Sequence, residues 1–129
     1  MKLLLDTHIW IWSLVDPQRL SRRVHAELRD PRNELWLSPV STWEVLLLSS
    51  KGRIRLPGNA RDWVAGASAM MREAPLTHEI VLVAQELQLA HQDPADRFLA
   101  ATADVLGLTL VTADQRLLGL GTIATLANR

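Results

Sequence analysis

The chain has 129 residues, 48% of them apolar, which is enough for a single folded domain over residues 1–129. Its 14 basic and 14 acidic residues cancel, so the total charge gives no general attraction to nucleic acid. The lack of cysteine excludes disulfides, a thiol nucleophile and a cysteine-ligated zinc site. We find neither a signal peptide nor an apolar run long enough to cross a bilayer, and we expect a cytoplasmic protein without membrane contact.

Short apolar runs alternate with helix-forming segments in the first half of the chain. The run at residues 2–5 predicts a buried strand that ends at Asp6. Ser21 and Ser41 each predict the start of a helix, because a serine hydroxyl can accept a hydrogen bond from the first helical turn. The elements predicted here are strands at 2–5 and 35–37 and helices at 7–15, 21–29, 41–50 and 60–72.

The second half continues the same alternation. Pro94 suits the first turn of a helix, and Gly107 suits its C-cap. Strands separated by helices predict a three-layer α/β/α domain with a central, mainly parallel sheet. The elements predicted here are strands at 75–77, 108–111 and 122–126 and helices at 79–89, 94–105 and 114–118.

Four acidic residues from distant parts of the sequence are predicted to meet at one edge of this sheet. Asp6 directly follows a predicted strand, and Asp114 follows the strand at 108–111 by way of Thr112 and Ala113, so both belong at the carboxyl edge. Glu44 and Asp96 lie in the first turns of helices that begin at the same edge. Parallel α/β sheets bind their ligands at this edge, and the four acids are therefore candidate site residues.

Helix capping is the alternative explanation for each acid. Ser41 to Glu44 and Asp93 to Asp96 both have the spacing of a capping box, and Asp6 and Asp114 could each cap the helix that follows. Capping does not explain why four caps converge, since clustered carboxylates repel one another unless a cation neutralises them. Hard oxygen ligands favour Mg²⁺, or Mn²⁺, as one or two ions.

Four motifs together make the chain resemble the PIN-domain ribonucleases, specifically the VapC-type toxins of bacterial toxin–antitoxin pairs. The resemblance covers nearly the whole length and is carried by LLLDTH at 3–8, STWE at 41–44, DPADRFLAATA at 93–103 and LVTAD at 110–114. It implies a PIN-like fold and a metal-dependent endoribonuclease that hydrolyses RNA with a metal-activated water, leaving 5′-phosphate and 3′-hydroxyl ends. It also implies an antitoxin partner and a homodimer.

Carried over by position, the resemblance assigns the catalytic, metal-binding quartet to Asp6, Glu44, Asp96 and Asp114. Asp96 is preferred to Asp93 because the family aspartate precedes an apolar helix of the Leu-Ala-Ala type. Asp6 and Asp96 are then the expected direct ligands, whereas Glu44 and Asp114 act directly or through ordered waters.

Several neighbours of the quartet are candidates for supporting roles. Thr7, Thr112 and Asp93 could orient the acids or their waters, or could cap helices locally. Arg97 could meet the scissile phosphate, neutralise the acids or face solvent. The basic residues concentrate in two stretches that could follow a phosphate backbone or form a solvated surface: Arg19, Arg22, Arg23, Arg29 and Arg32, and Lys51, Arg53 and Arg55.

Tryptophan is unusually frequent, with five residues against one phenylalanine and no tyrosine. Trp10 and Trp12 are two positions apart, so one helix cannot bury both on the same narrow stripe. We expect Trp10, Trp12 and Trp43 to border an apolar groove that binds the antitoxin, with core packing as the alternative for each.

Two other functional classes remain to be separated from the nuclease. Another Mg²⁺-dependent phosphoryl hydrolase is disfavoured, because the segment Asp6-Thr7-His8 lacks the second aspartate of a haloacid-dehalogenase-type phosphatase. Lys2 and Lys51 are the only lysines, and neither suits a response-regulator receiver. A catalytically inactive PIN-like binding module is disfavoured by the complete quartet. His8 and His91 are not needed as catalytic bases if a metal activates the water.

Overall fold

The computed structural model describes residues 1–89 and 93–129, and across these residues the strands form one five-stranded parallel sheet. The sheet order is β3-β2-β1-β4-β5, so β1 is central. The strands are β1 (Lys2–Leu5), β2 (Glu34–Leu37), β3 (Arg72–Glu73), β4 (Thr109–Thr112) and β5 (Thr125–Ala127). The predicted parallel sheet is therefore confirmed.

Helices connect the strands, and their ends follow local capping chemistry. The Ser21 hydroxyl accepts a hydrogen bond from the Val24 amide at 3.2 Å. Gly107 ends its helix in the left-handed conformation, with φ of 65°. The helices are α1 (Thr7–Val15), α2 (Arg22–Arg29), α3 (Pro39–Ser50), α4 (Ala60–Ser68), α5 (His78–Glu86), α6 (Pro94–Leu106) and α7 (Gln115–Leu118), with a 3₁₀ turn at Pro17–Arg19.

The sheet is covered by helices on both faces, as a three-layer domain requires. Alternate side chains of a strand point to opposite faces, so Leu3 and Leu5 enter one core and Leu4 enters the other. The first core is completed by side chains of α1, α2 and α3, among them Trp10, Val24 and Val45. The second is completed by Leu99 and Leu117 with their helices, α6 and α7. Each fully buried leucine stabilises the fold by about 1.5–3 kcal/mol.

The predicted start of α3 was wrong in a way that bears on Glu44. The N-cap is Ser38, whose hydroxyl accepts a hydrogen bond from the Val40 amide at 3.0 Å, and Pro39 occupies the first helical position. Proline there has the helical φ and no amide to satisfy, so it moves the start three residues upstream. Ser41 is therefore inside the helix, and the predicted capping box with Glu44 does not exist.

Element boundaries differ elsewhere by a few residues. The strand expected at 75–77 is β3, at Arg72–Glu73, and its ladder ends with the Ala74 amide donating to Leu37 O at 2.9 Å. Pro75 cannot extend this ladder, because it has no amide proton to donate. Because Arg72 already belongs to β3, helix α4 ends at Ser68 instead of the predicted residue 72.

The order of the strands creates a topological switch point between β1 and β4. From β1 the chain builds outward through β2 to β3, and it then crosses back to place β4 on the other side of β1. Ligands of open α/β sheets bind in the crevice at the carboxyl ends of the strands at such a point. Within the described ranges, no helix has both the length and the apolar character that crossing a membrane requires.

Candidate metal centre

A cleft of about 520 Å³ opens at this switch point, and we call it the acidic cleft. The quartet predicted from sequence lines it together with Asp93, so the structure brings all these acids to one place. Further side chains on its walls come from α1, the 3₁₀ turn and α7. The lining residues that matter below are Asp6, Glu44, Asp93, Asp96, Asp114, His8, Trp12, Arg19 and Arg116.

Asp6 is the most deeply placed acid, with 9% of its surface exposed. It follows β1 and caps α1, so one carboxylate oxygen accepts a hydrogen bond from the Thr7 amide at 2.8 Å. The other oxygen accepts one from the Thr112 hydroxyl at 2.7 Å. Burial raises the pKa of Asp6, while these two hydrogen bonds oppose the rise. The carboxylate is thus fixed in orientation at the floor of the cleft.

Glu44 reaches the cleft from the second turn of α3, where it has no capping role. The Thr7 hydroxyl donates a short hydrogen bond to the Glu44 carboxylate and lies 2.9 Å from the Ser41 hydroxyl. Burial raises the pKa of Glu44, the bond from Thr7 opposes the rise, and the charge of Asp6 adds to it. Thr7 therefore orients Asp6 through its amide and Glu44 through its hydroxyl.

Asp96 lies in the first turn of α6, and Asp93 is the N-cap of that helix. The Asp93 carboxylate accepts a hydrogen bond from the Ala95 amide at 3.0 Å. Burial, followed by repulsion from Asp93, Asp6, Asp114 and Glu44, raises the pKa of Asp96 to about 7. Near neutral pH this group is poised between its two protonation states, so a cation that binds it would favour the charged form.

Asp114 is held by an arginine that sequence reasoning missed. It caps α7, where its carboxylate accepts a hydrogen bond from the Arg116 amide at 2.9 Å. The Arg116 guanidinium contacts both carboxylate oxygens, at 3.2 and 3.1 Å. A signal was present in the sequence, because an arginine two residues after an N-cap aspartate can fold back onto it.

The hydroxyl of Thr112 links two of the acids. It donates to Asp6 and accepts a hydrogen bond from the Asp114 amide at 3.0 Å. A hydroxyl has one proton to donate and lone pairs to accept, so both bonds can form at once. Because Thr112 is the last residue of β4, the sheet itself sets the relative positions of Asp6 and the backbone of Asp114.

The donor set suits a hydrated hard cation. In residues 1–89 and 93–129, no three His, Cys, Asp or Glu side chains already form the ligand set of one ion. Mg²⁺ retains several waters and is usually bound through one or two carboxylates, so a closed protein cage is not required. Oxygen donors on an open cleft fit that mode of binding, and soft metals that prefer sulfur ligands do not fit.

Two other sequence candidates have outcomes in the structure. Arg97 donates hydrogen bonds to the carbonyls of Ala84 and Leu87, at 2.8 and 3.2 Å, so it fixes the end of α5. Arg97 does not line the acidic cleft, so the structure does not place it beside the acids or a phosphate bound there, and its half-buried side chain is partly open to solvent. His8 lines the acidic cleft, whereas His91 lies outside the described residues.

The three candidate tryptophans do not form one groove. Trp10 is fully buried, packs on Trp63 with ring centroids 5.5 Å apart, and donates to Ala67 O at 3.4 Å, so its predicted role in partner binding was wrong. Trp12 lines the acidic cleft. Trp43 is 58% exposed and borders a separate apolar hollow of about 240 Å³ with Phe98.

Comparisons with known proteins agree with this architecture. The PIN domain family matches residues 3–121. Ribonuclease VapC22 of Mycobacterium tuberculosis (strain ATCC 25618 / H37Rv) is 33% identical over 115 residues, which is 88% of each protein. VapBC2 of Rickettsia felis, bound to a promoter DNA fragment, has a TM-score of 0.77 at 16% identity over 98% of both chains. DNA-bound VapBC of Salmonella typhimurium has a TM-score of 0.75 at 17% identity, covering 100% of this chain and 99% of the other.

Proposed function

Since this chain belongs to the PIN-domain family, in the VapC group, we propose that it is a magnesium-dependent endoribonuclease and the toxin of a toxin–antitoxin pair. RNA is the substrate class because the related VapC22 is a ribonuclease. The antitoxin is inferred because the structurally similar VapBC-5 belongs to a family of toxin–antitoxin systems, and another similar structure is a toxin–antitoxin complex. These properties of relatives support the proposal, and the geometry of the acidic cleft supplies its chemical basis.

The observation that carries the proposal is the concentration of carboxylates at the switch point. Asp96 has a pKa raised to about 7 because it is buried beside other acids. A cluster that served only to cap helices would gain nothing from this proximity, since each charge added to it repels the others. A divalent cation removes that cost, and the cluster then provides a place for a polyanionic substrate.

The acids and threonines of the cleft have different proposed roles in phosphodiester hydrolysis. A bound Mg²⁺ supplies an acidified water and neutralises charge that grows on the phosphate. Asp6 and Asp96 are the direct ligands in this proposal, and Glu44 and Asp114 hold the ion or its waters. Thr112 holds the Asp6 carboxylate in place, and Thr7 does the same for Glu44. The groups are thereby fixed before substrate arrives, which reduces reorganisation during the reaction.

Substitution of the ligands tests this function. Asp6→Asn and Asp96→Asn preserve size and remove charge, so both purified variants should fold and should show no cleavage of bacterial RNA. Asp104→Asn is the matched control, because Asp104 is an exposed residue on α6 outside the acidic cleft. It should retain wild-type cleavage. Full activity in either ligand variant would remove that residue from the mechanism, and an inactive wild type would favour a binding module.

The toxin assignment has its own test in cells. Expression of this chain alone should arrest bacterial growth, and co-expression of the adjacent reading frame should restore growth and give a complex that co-purifies. The exposed Trp43 is the candidate docking residue, so Trp43→Ser should weaken rescue while RNA cleavage persists. Met70→Ser is a control because Met70 is 91% exposed and lies elsewhere. The free enzyme is proposed to be a symmetric dimer, which sedimentation measures directly.

A further inference from the structure

One wall of the acidic cleft carries positive charge that the metal site does not use. The Arg19 guanidinium lies over the Trp12 ring, with its central carbon 4.4 Å from the ring centroid. His8 packs against the same ring, at 5.9 Å between centroids. All three side chains line the cleft that holds the acids. Stacking on an aromatic face restricts the guanidinium to a plane while leaving its edge available for hydrogen bonding.

Hydrogen bonds connect the backbone around Arg19 to the carboxyl edge of the sheet, where the acids lie. The Asn128 side chain donates to the Arg19 carbonyl at 3.0 Å and accepts a hydrogen bond from the Ser21 amide at 2.6 Å. The backbone N–H of Asn128 donates to the Thr112 carbonyl at 2.9 Å. A single residue therefore connects the end of β4, where Thr112 orients Asp6, to the 3₁₀ turn that presents Arg19. This places Arg19 at a defined position relative to the acids.

The two arginines of the cleft are in different states. Arg116 is paired with Asp114 through both carboxylate oxygens. Within residues 1–89 and 93–129, Arg19 forms no ion pair, although five acids line the same cleft. Its donors thus remain available for a ligand. A planar, singly charged fork that is exposed beside a metal site is suited to a phosphate oxygen pair.

We propose that Arg19, stacked on Trp12 and anchored through Asn128, binds a backbone phosphate of single-stranded RNA next to the scissile one. The proposal rests on the function proposed above, because it takes the acidic cleft as the cleavage site. It places the RNA strand against the wall of the cleft formed by α1 and the 3₁₀ turn. It also explains how a chain with no net charge attracts RNA, since the attraction is local to this wall.

Binding can be measured separately from cleavage. A fluorescein-labelled, mixed-sequence single-stranded RNA is titrated with wild type, Arg19→Gln or Trp12→Leu over a series of salt concentrations. Ca²⁺ replaces Mg²⁺, so that binding is measured without cleavage. Arg19→Gln should reduce the slope of log K against log salt by about 0.7, the value for one single-strand phosphate contact. Trp12→Leu retains the charge of Arg19 but removes the ring on which the guanidinium stacks. It should therefore weaken binding roughly tenfold with little change in slope.

Matched controls separate this effect from general charge. Arg61→Gln removes the same charge from an exposed position on α4 that does not line the cleft, and should leave affinity and slope unchanged. Arg19→Lys should keep the wild-type dependence of binding on salt but not the full wild-type affinity, because an ammonium lacks the planar fork of a guanidinium. In cleavage assays, Arg19→Gln should raise KM more than it lowers kcat.

The binding and cleavage results together distinguish failure of the phosphate subsite from failure of the proposed nuclease activity. If wild type cleaves RNA and Arg19→Gln keeps the wild-type affinity, slope and KM, the phosphate subsite is overturned and the nuclease proposal stands. The same holds if Arg61→Gln reduces the slope as much as Arg19→Gln does. If binding depends on Arg19 but wild type cleaves nothing with Mg²⁺, Arg19 contacts RNA in a binding module, and both the proposed activity and the assignment beside a scissile phosphate fail.

Discussion

At the scale of single residues, Thr112 illustrates how the fold prepares the acids. Its hydroxyl donates to Asp6 and accepts from the Asp114 amide, so removing it releases both. Thr112→Val keeps the shape and β-branching of the side chain, and we expect about a 10- to 100-fold loss of cleavage or metal affinity, as for other residues that orient metal ligands. The measurement is kcat together with Mg²⁺ affinity by calorimetry.

Thr109→Val is the control for that change, because Thr109 begins the same strand and does not line the acidic cleft. Thr112→Ser should recover most of the activity, since serine restores the hydroxyl. Equal activity of Thr112→Val and wild type would show that the orientation of Asp6 does not depend on this bond.

The raised pKa of Asp96 leads to a prediction about stability. Its pKa rises from 3.8 to about 7 in the folded protein, so the folded state holds the proton more tightly than the unfolded chain does. That contribution is present at low pH and is lost as the pH rises through about 7. Asp96→Asn avoids the loss, and its melting temperature should exceed that of wild type in metal-free buffer at pH 8.

The advantage of Asp96→Asn should shrink as the pH falls towards 4, because wild type then keeps its proton. Calorimetry over this pH range measures it, with Asp104→Asn as a control that should show no comparable trend. Saturating Mg²⁺ should reverse the order, since the ion stabilises only a protein that binds it. Identical melting curves for Asp96→Asn and wild type at every pH would contradict the raised pKa.

At the scale of elements, the sequence predicted segments with strong local signals and misplaced those without. Strand β1 and helix α6 were found because an apolar run and a Pro94–Gly107 frame leave few alternatives. The start of α3 was misplaced, because STWE has capping-box spacing while the effect of Pro39 was overlooked. Strand β3 has two exposed residues, Arg72 and Glu73, so its pairing with β2 carries no apolar signal.

Capping at Ser38 can be tested by stability alone. Ser38→Ala removes the acceptor for the Val40 amide, and we expect the free energy of unfolding to fall by about 1 kcal/mol. Ser50→Ala at the other end of α3 is the matched control and should change it little, because Ser50 is exposed. Urea denaturation measures both variants. A larger loss for Ser50→Ala than for Ser38→Ala would contradict the observed start of the helix.

At the scale of the whole molecule, sheet order converts distant sequence segments into one site. Asp6 and Asp114 were predictable as neighbours because each follows a strand, and the pairing of β1 with β4 places those strands side by side. The position of Arg19 was not predictable, since it depends on a tertiary stack with Trp12 and on a link to Asn128. The docking groove was misjudged for the same reason, because helix periodicity separates Trp10 from Trp12 but does not show which one is buried.

The acidic cleft is proposed to cleave RNA only with a divalent ion bound to its oxygen ligands. The most direct measurement is the initial rate of RNA cleavage by metal-stripped protein as Mg²⁺, Mn²⁺ or Ca²⁺ is added back. Mg²⁺ and Mn²⁺ should restore cleavage with saturation, and Ca²⁺ should compete for the site while supporting little turnover, because its looser geometry positions the water poorly. Undiminished cleavage in excess EDTA would contradict metal-dependent cleavage at this site.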